Sequence, residues 1–136
     1  MGDQEKKGQL EPSYEALMTK ASQCGNLRIE WTKKGDILSA VTVNHRYAFV
    51  VLDPERRWVR MTSDHPEFPG PNDGYLHGSL LAPLGSSILM GRIAIGLSLL
   101  FSTPDWASRF LPPEIRTTPV REVHVNGQRV LPAHEA

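Results

Sequence analysis

Cysteine is almost missing from this chain. Cys24 alone among 136 residues excludes an internal disulfide and cannot form a cysteine-based zinc site by itself. Net charge is missing too, because fifteen basic residues balance fifteen acidic ones. Binding driven by phosphate neutralisation is therefore disfavoured, and neither direct nucleic-acid contact nor an anionic membrane is expected as a partner. Residues 1–11 are polar, with two acids before Lys6-Lys7 and no apolar stretch, so they do not read as a secretory signal. A reducing cytoplasm is the expected setting.

Long apolar runs are also scarce. The one segment to test as a membrane span is 78–101, which holds a single charge, Arg92. Pro83, Gly78, Gly85, Gly91, Gly96 and four serines interrupt it, and a charge near the centre of a spanning helix costs about 2.5–3.5 kcal/mol. The segment reads as the buried heart of a soluble domain. The chain length suits one core and not two. The expected organisation is a flexible lead over 1–12 and a single domain over 13–136.

Catalytic groupings are absent as well. No acid occurs between Asp73 and Asp105, so the most apolar third of the chain lacks a general base or carboxylate ligand. There is no Gly-x-x-x-x-Gly-Lys loop, no Gly-x-Ser-x-Gly elbow and no His-Glu-x-x-His. The five histidines are scattered. His65, between Asp64 and Glu67, is a conceivable weak metal ligand, but a solvated polar loop is the simpler reading, since no rigid element holds the set. His77-Gly78 could position a carbonyl, or simply end a strand. Cys24 reads as a small residue rather than a reactive thiol, because the C-terminal end of a helix does not lower its pKa. No catalytic residue, metal or cofactor is expected, and the chain reads as one that acts by binding.

What is present gives a coarse fold. Ser13 offers an N-cap, and Tyr14, Leu17, Met18 and Ala21 fall on one helix face before Cys24-Gly25-Asn26 ends it. Leu27, Ile29 and Trp31 alternate with polar residues as in a half-buried strand. Lys33-Lys34-Gly35-Asp36 marks a turn before a second strand over 37–43. Residues 47–52 are apolar at nearly every position, as in a strand covered on both faces. A Pro54 turn leads to a return strand through Trp58, Val59 and Met61. Residues 63–75 predict a long exposed loop. A short strand near 76–81 follows, then a helix from Pro83, with Leu84 and Ile88 on one face and its end near Gly91. Leu97, Leu99 and Phe101 begin another strand. Asn126-Gly127 marks a hairpin between 120–125 and 128–131. The sum is an α+β domain, antiparallel strands around one central helix.

Two segments carry a family resemblance. Leu81-Ala82-Pro83-Leu84-Gly85-Ser86-Ser87-Ile88-Leu89 resembles the Ser/Ala-Pro-Leu/Val-Gly-x-x-Leu-Leu motif of the C-terminal domain of Gre transcript-cleavage factors. Their relative, the regulator of nucleoside diphosphate kinase (Rnk), shares the motif. Val41-Thr42-Val43-Asn44-His45-Arg46 resembles the Val-Thr-Met-Asn-Ser-Arg opening of the Rnk domain. The likeness covers 41–102 and extends more loosely to 131. It implies an FKBP-like sheet wrapped around one short central helix, with shape but no isomerase activity in common. It also implies a monomer that docks on RNA polymerase through Leu81, Ala82, Pro83 and Leu84, in which a strand–proline–helix corner presents apolar atoms and free helix N–H groups.

The departures limit that function. The residues before Val41 are too few for the long helical hairpin with which Gre factors stimulate cleavage, so cleavage activity is not expected. The family's Gly-x-x-x-Gly-Asp becomes Gly91-Arg92-Ile93-Ala94-Ile95-Gly96-Leu97, without the acid, and the Tyr-Gln-Pro-Glu ending is missing. The competing expectation is a hotdog-fold thioesterase-like protein, since His77-Gly78 before an apolar helix resembles that fold's His-Gly-Gly. With no carboxylate over 79–103 to activate water, such a protein would be catalytically degenerate. A plain interaction domain is the third possibility.

Overall fold

The computed structural model describes residues 17, 19–21, 23, 25–66, 70–81, 87–103 and 114–132. Eleven strands follow in order among them: β1 Asn26–Arg28, β2 Ile37–Thr42, β3 Arg46–Asp53, β4 Trp58–Ser63, β5 Asn72–Leu80, β6 Ile88–Met90, β7 Arg92–Ala94, β8 Ser98–Ser102, β9 Glu114–Arg116, β10 Val120–Val125 and β11 Gln128–Leu131. Described helix is limited to Leu17, Thr19, Lys20, Ala21 and Gln23 and to a 3-10 turn over Ile29–Trp31. No helix among the described residues is long and apolar enough to cross a membrane.

The main sheet is antiparallel, in the order β11-β10-β2-β3-β4-β5-β8-β9, with β6 on the β5 hairpin. Period-two burial builds it. Leu38, Ala40, Tyr47, Phe49, Val51, Val59, Met61, Leu76, Leu99, Phe101, Val123 and Val125 face one core, while their strand neighbours are half-buried or exposed. The register stacks large residues across strands, Leu38 opposite Phe49 and Phe49 opposite Met61. Phe49 and Phe101 meet at 6.2 Å between ring centres, within the range of favourable tilted contacts. Leu17 and Ala21 join this core from the helical stretch, which fits the expected helix face. Tyr14 and Met18 lie outside the described residues.

A second, two-stranded sheet pairs β1 with β7. It also touches the main sheet on both sides, β7 against β5 and β1 against β11. Ser79, fully buried on β5, donates its hydroxyl to the Arg92 carbonyl at 2.9 Å and accepts from the Ala94 N–H at 3.0 Å. The neighbours thus form a closed circuit, β5-β4-β3-β2-β10-β11-β1-β7, with β8 and β9 continuing beyond β5.

Several expectations are corrected. The helix expected from Pro83 to near Gly91 gives way to strand at Ile88, which pairs with Leu80, followed by Leu89 with Ser79 and Met90 with Gly78. Gly78 makes this possible. It sits at φ +138, and a Cβ there would collide with the Leu89 carbonyl oxygen, so only glycine lets β6 approach. The antiparallel sheet is therefore present, but the described helix lies at the N-terminal side and not at 88–91. The same strand removes the central helix that a hotdog fold needs. The loop expected over 63–75 is shorter, since β5 begins at Asn72. The strand expected over 27–31 tightens into the 3-10 turn after Arg28. Residues 47–52 alternate between buried and half-buried and are not covered on both faces.

Candidate functional site

Leu81, Ala82, Pro83 and Leu84 are the sequence-derived contact residues. Leu81 follows β5 with 53% of its surface exposed, and its N–H donates to the Ser87 carbonyl at 3.0 Å. Ala82, Pro83 and Leu84 lie outside the described residues. Of the loop metal reading, Asp64 and His65 are described and Glu67 is not. His65 packs on His45 at 4.2 Å between ring centres, and Asp64 lies 3.3 Å from His45 Nδ1. No group among the described residues is arranged to hold a metal. Asp64 instead accepts the Arg46 N–H at 2.9 Å, which holds its carboxyl below the usual range. That arrangement locks a turn.

The site the structure builds lies elsewhere, where three turns meet. Arg28 and Glu30 come from the end of β1 and the 3-10 turn. Pro54, Glu55 and Arg57 come from the β3–β4 turn, and Met90, Gly91 and Arg92 from the β6–β7 turn. Together they line a cleft of about 130 Å³. Two backbone bonds fix the walls: the Ile29 N–H donates to the Gly91 carbonyl at 2.8 Å, and the Gly91 N–H to the His77 carbonyl at 2.7 Å.

Charge is concentrated there against its own preference. Arg28 and Arg92 are direct cross-strand partners in the β1–β7 pair, and like charges directly opposite each other destabilise a sheet. Arg28 is partly compensated by Glu30 at 3.0 Å and by the Trp31 ring at 5.9 Å. Arg92 has no ion pair among the described residues. Arg57 stands at φ 58, a left-handed conformation uncommon for a side-chain-bearing residue. Its Nε is buried with no hydrogen-bond partner among the described residues. Gly91 lies beside the Arg57 stem, where a Cβ would make an ordinary contact with Arg57 Cδ at 3.5 Å, so its φ of +70 and not a lack of space favours glycine there.

Arg57 also connects the cleft to the outer face of β4, β5 and β8. Trp58 and Tyr75 are cross-strand partners whose rings meet at 4.8 Å, and Tyr75 lies 6.2 Å from the His77 ring. His77 Nε2 is 2.6 Å from Ser102 Oγ. Burial lowers the His77 pKa, the Arg57 guanidinium lowers it further, and Glu114 opposes them. The imidazole is therefore neutral at neutral pH. A serine at hydrogen-bond distance from a neutral histidine is half of a nucleophilic machine, but among the described residues no carboxylate bonds the other ring nitrogen to orient it.

Of these residues the sequence singled out only His77, as a residue that could position a carbonyl or simply end a strand, and Arg92, as the lone charge of its segment; neither was read as part of an arginine cleft. Arg28, Arg57 and Arg92 are far apart in the chain, and no spacing links them. The His77–Ser102 contact crosses 25 positions and depends on the β5–β8 register. The two signals that existed were Arg92 as the lone charge in 78–101 and Arg57 just behind the Asp53-Pro54 turn. Comparison with family models, curated proteins and solved structures finds no match for this chain.

Proposed function

We propose that this chain is a binding domain whose site is the arginine cleft and whose ligand carries a phosphate or carboxylate group. One observation carries the reading: Arg28 and Arg92 are held directly opposite each other while Arg57 lines the same small cleft. Folding alone would disperse such charges, whereas an anion between them converts repulsion into charge-assisted hydrogen bonds. Strained backbone and unsatisfied polar groups concentrate at sites of function, and Arg57 combines a left-handed φ with a buried Nε that has no partner among the described residues.

Arg92→Gln separates this role from a structural one because its two effects have opposite signs. Without ligand, the variant is expected to be more stable by about 0.5 kcal/mol, since a like-charge pair is removed. Its affinity for phosphate or ribose 5-phosphate should fall roughly tenfold or more, the worth of a hydrogen bond to a charged group. Calorimetric titration at low salt and urea unfolding measure both. Unchanged affinity, or a variant less stable than wild type, would sink the reading.

A second reading keeps the Gre-like expectation of an accessory factor that docks on RNA polymerase, with its FKBP-like fold, no cleavage activity and no cofactor. Its support is Leu81, a large apolar side chain more than half exposed at the end of a rigid strand. Capture of purified RNA polymerase by the wild type and not by Leu81→Asp is expected on this reading. Equal capture, or none by either, would remove it.

A further inference from the structure

We propose that the ligand of the arginine cleft is a nucleotide, with its phosphate among Arg28, Arg57 and Arg92, a ribose hydroxyl on Glu55 and its base against Tyr75. The inference rests on the anion-binding reading and goes beyond it by naming the rest of the ligand.

Size is the first argument. Pockets that enclose a whole small ligand run to roughly 300–1,000 Å³, whereas this cleft holds about 130 Å³. It can take a phosphate, so the remainder of any ligand must lie on the adjoining surface. That surface is aromatic on the side where Arg57 leads. Arg57 acts electrostatically on His77, its carbonyl accepts the Leu76 N–H at 2.9 Å, and its chain neighbour Trp58 packs edge-on against Tyr75. Among the described residues Tyr75 is one of few large apolar side chains left exposed, at 39%. Its ring packs edge-on against Trp58, the chain neighbour of the cleft residue Arg57, and lies 6.2 Å from the His77 ring, so it offers a braced stacking surface on that side of the cleft. Stacking of a base on an exposed aromatic ring is a strong and sequence-tolerant attraction.

Charge is the second argument. A site for inorganic phosphate alone would not place a second carboxylate in its wall. Arg28 and Glu30 are paired, but Glu55 also lines the cleft and has no ion pair among the described residues. Its carboxylate repels a bare dianion. It accepts hydrogen bonds, however, from the neutral hydroxyls of a ribose, the use to which acidic residues are put beside phosphate sites in dinucleotide folds. Three arginines with a carboxylate outside the Arg28–Glu30 pair suit a ligand that carries both an anion and hydroxyl donors.

Titration of the full chain with AMP, ribose 5-phosphate and inorganic phosphate tests this. AMP should bind roughly tenfold tighter than ribose 5-phosphate, and Tyr75→Ala should abolish that difference while Tyr75→Phe keeps it. Glu55→Gln should weaken AMP and ribose 5-phosphate yet strengthen inorganic phosphate. Equal affinity of AMP and ribose 5-phosphate, or a difference that survives Tyr75→Ala, overturns the nucleotide inference and leaves the anion site standing. Failure of all three ligands to bind overturns both. Circular dichroism melting of each variant shows whether it is folded, and the opposite signs at Glu55→Gln cannot arise from misfolding.

Discussion

Gly78→Ala is expected to lower the unfolding free energy by roughly 4 kcal/mol, the sum of left-handed backbone strain of about 1–3 kcal/mol and an overpacking cost of about 1–3 kcal/mol. Gly78 sits at φ +138 in the middle of β5, and its absent Cβ is the space into which the β6 backbone fits. The obstructing atoms are the Leu89 carbonyl oxygen and, at 2.9 Å, the Gly91 nitrogen. Neither can swing aside as a side-chain tip would, and the Gly91 nitrogen is already committed to the His77 carbonyl. Gly96 isolates the clash. It has φ +87 but no atom within 4 Å of a built Cβ, so Gly96→Ala carries backbone strain alone, roughly 1–2 kcal/mol. Urea midpoints for the two variants should differ clearly, and Gly78→Ala no worse than Gly96→Ala would refute this account of β6. The consequence reaches function, because Met90, Gly91 and Arg92 form one wall of the cleft. The same substitution should weaken anion binding even where the protein remains folded.

This glycine also explains where the sequence was legible and where it was not. Strands β2, β3 and β4 could be placed because turn residues separate three apolar-rich segments, although the apolar run over 47–52 suggested burial on both faces where the structure alternates buried and half-buried. The β10–β11 hairpin could be read because Asn126-Gly127 supplies the two positive φ angles the turn requires, 51 and 85. The N-terminal helix face was legible at Leu17 and Ala21, both buried. Residues 88–91 misled because a short apolar run has no period of its own, while the expected helix start at 83–86 lies outside the described residues. What decides Ile88–Met90 is pairing with the upstream segment from Gly78 to Leu80, a tertiary fact. The start of β5 was hidden in the same way. Asn72 and Asp73 look like turn residues, yet Asp73 pairs across the sheet with Arg60, at 2.7 and 3.2 Å. The cleft was least legible of all. Its arginines converge only after β1 has paired with β7 and the β3–β4 turn has closed beside them, and local patterning records none of this.

Phe49→Ala should cost about 3–5 kcal/mol, the range for emptying an aromatic position in a core that cannot collapse. Phe49 is fully buried on β3, stacks with Tyr47 at 6.5 Å and tilts against Phe101 at 6.2 Å. Collapse is resisted from the far side, because the Phe101 ring occupies the space over Gly74, where a Cβ would lie 2.6 Å from the ring tip. Phe101 is wedged between a backbone and Phe49, so moving into the void would give up its contact with Gly74. The two phenylalanines should therefore be coupled. Phe101→Ala in the Phe49→Ala background should cost less than in wild type by about 0.5–1.5 kcal/mol, the worth of an aromatic pair beyond its buried area. Ile37→Ala, at a position 43% exposed, should stay within about 0.5 kcal/mol of wild type. A small domain has only about 5–15 kcal/mol of stability, so the Phe49 loss alone should lower the urea midpoint by roughly a fifth or more. Strict additivity of the two phenylalanine substitutions would mean that the core relaxes around each void independently. The closed circuit of strands would then be looser than its packing implies.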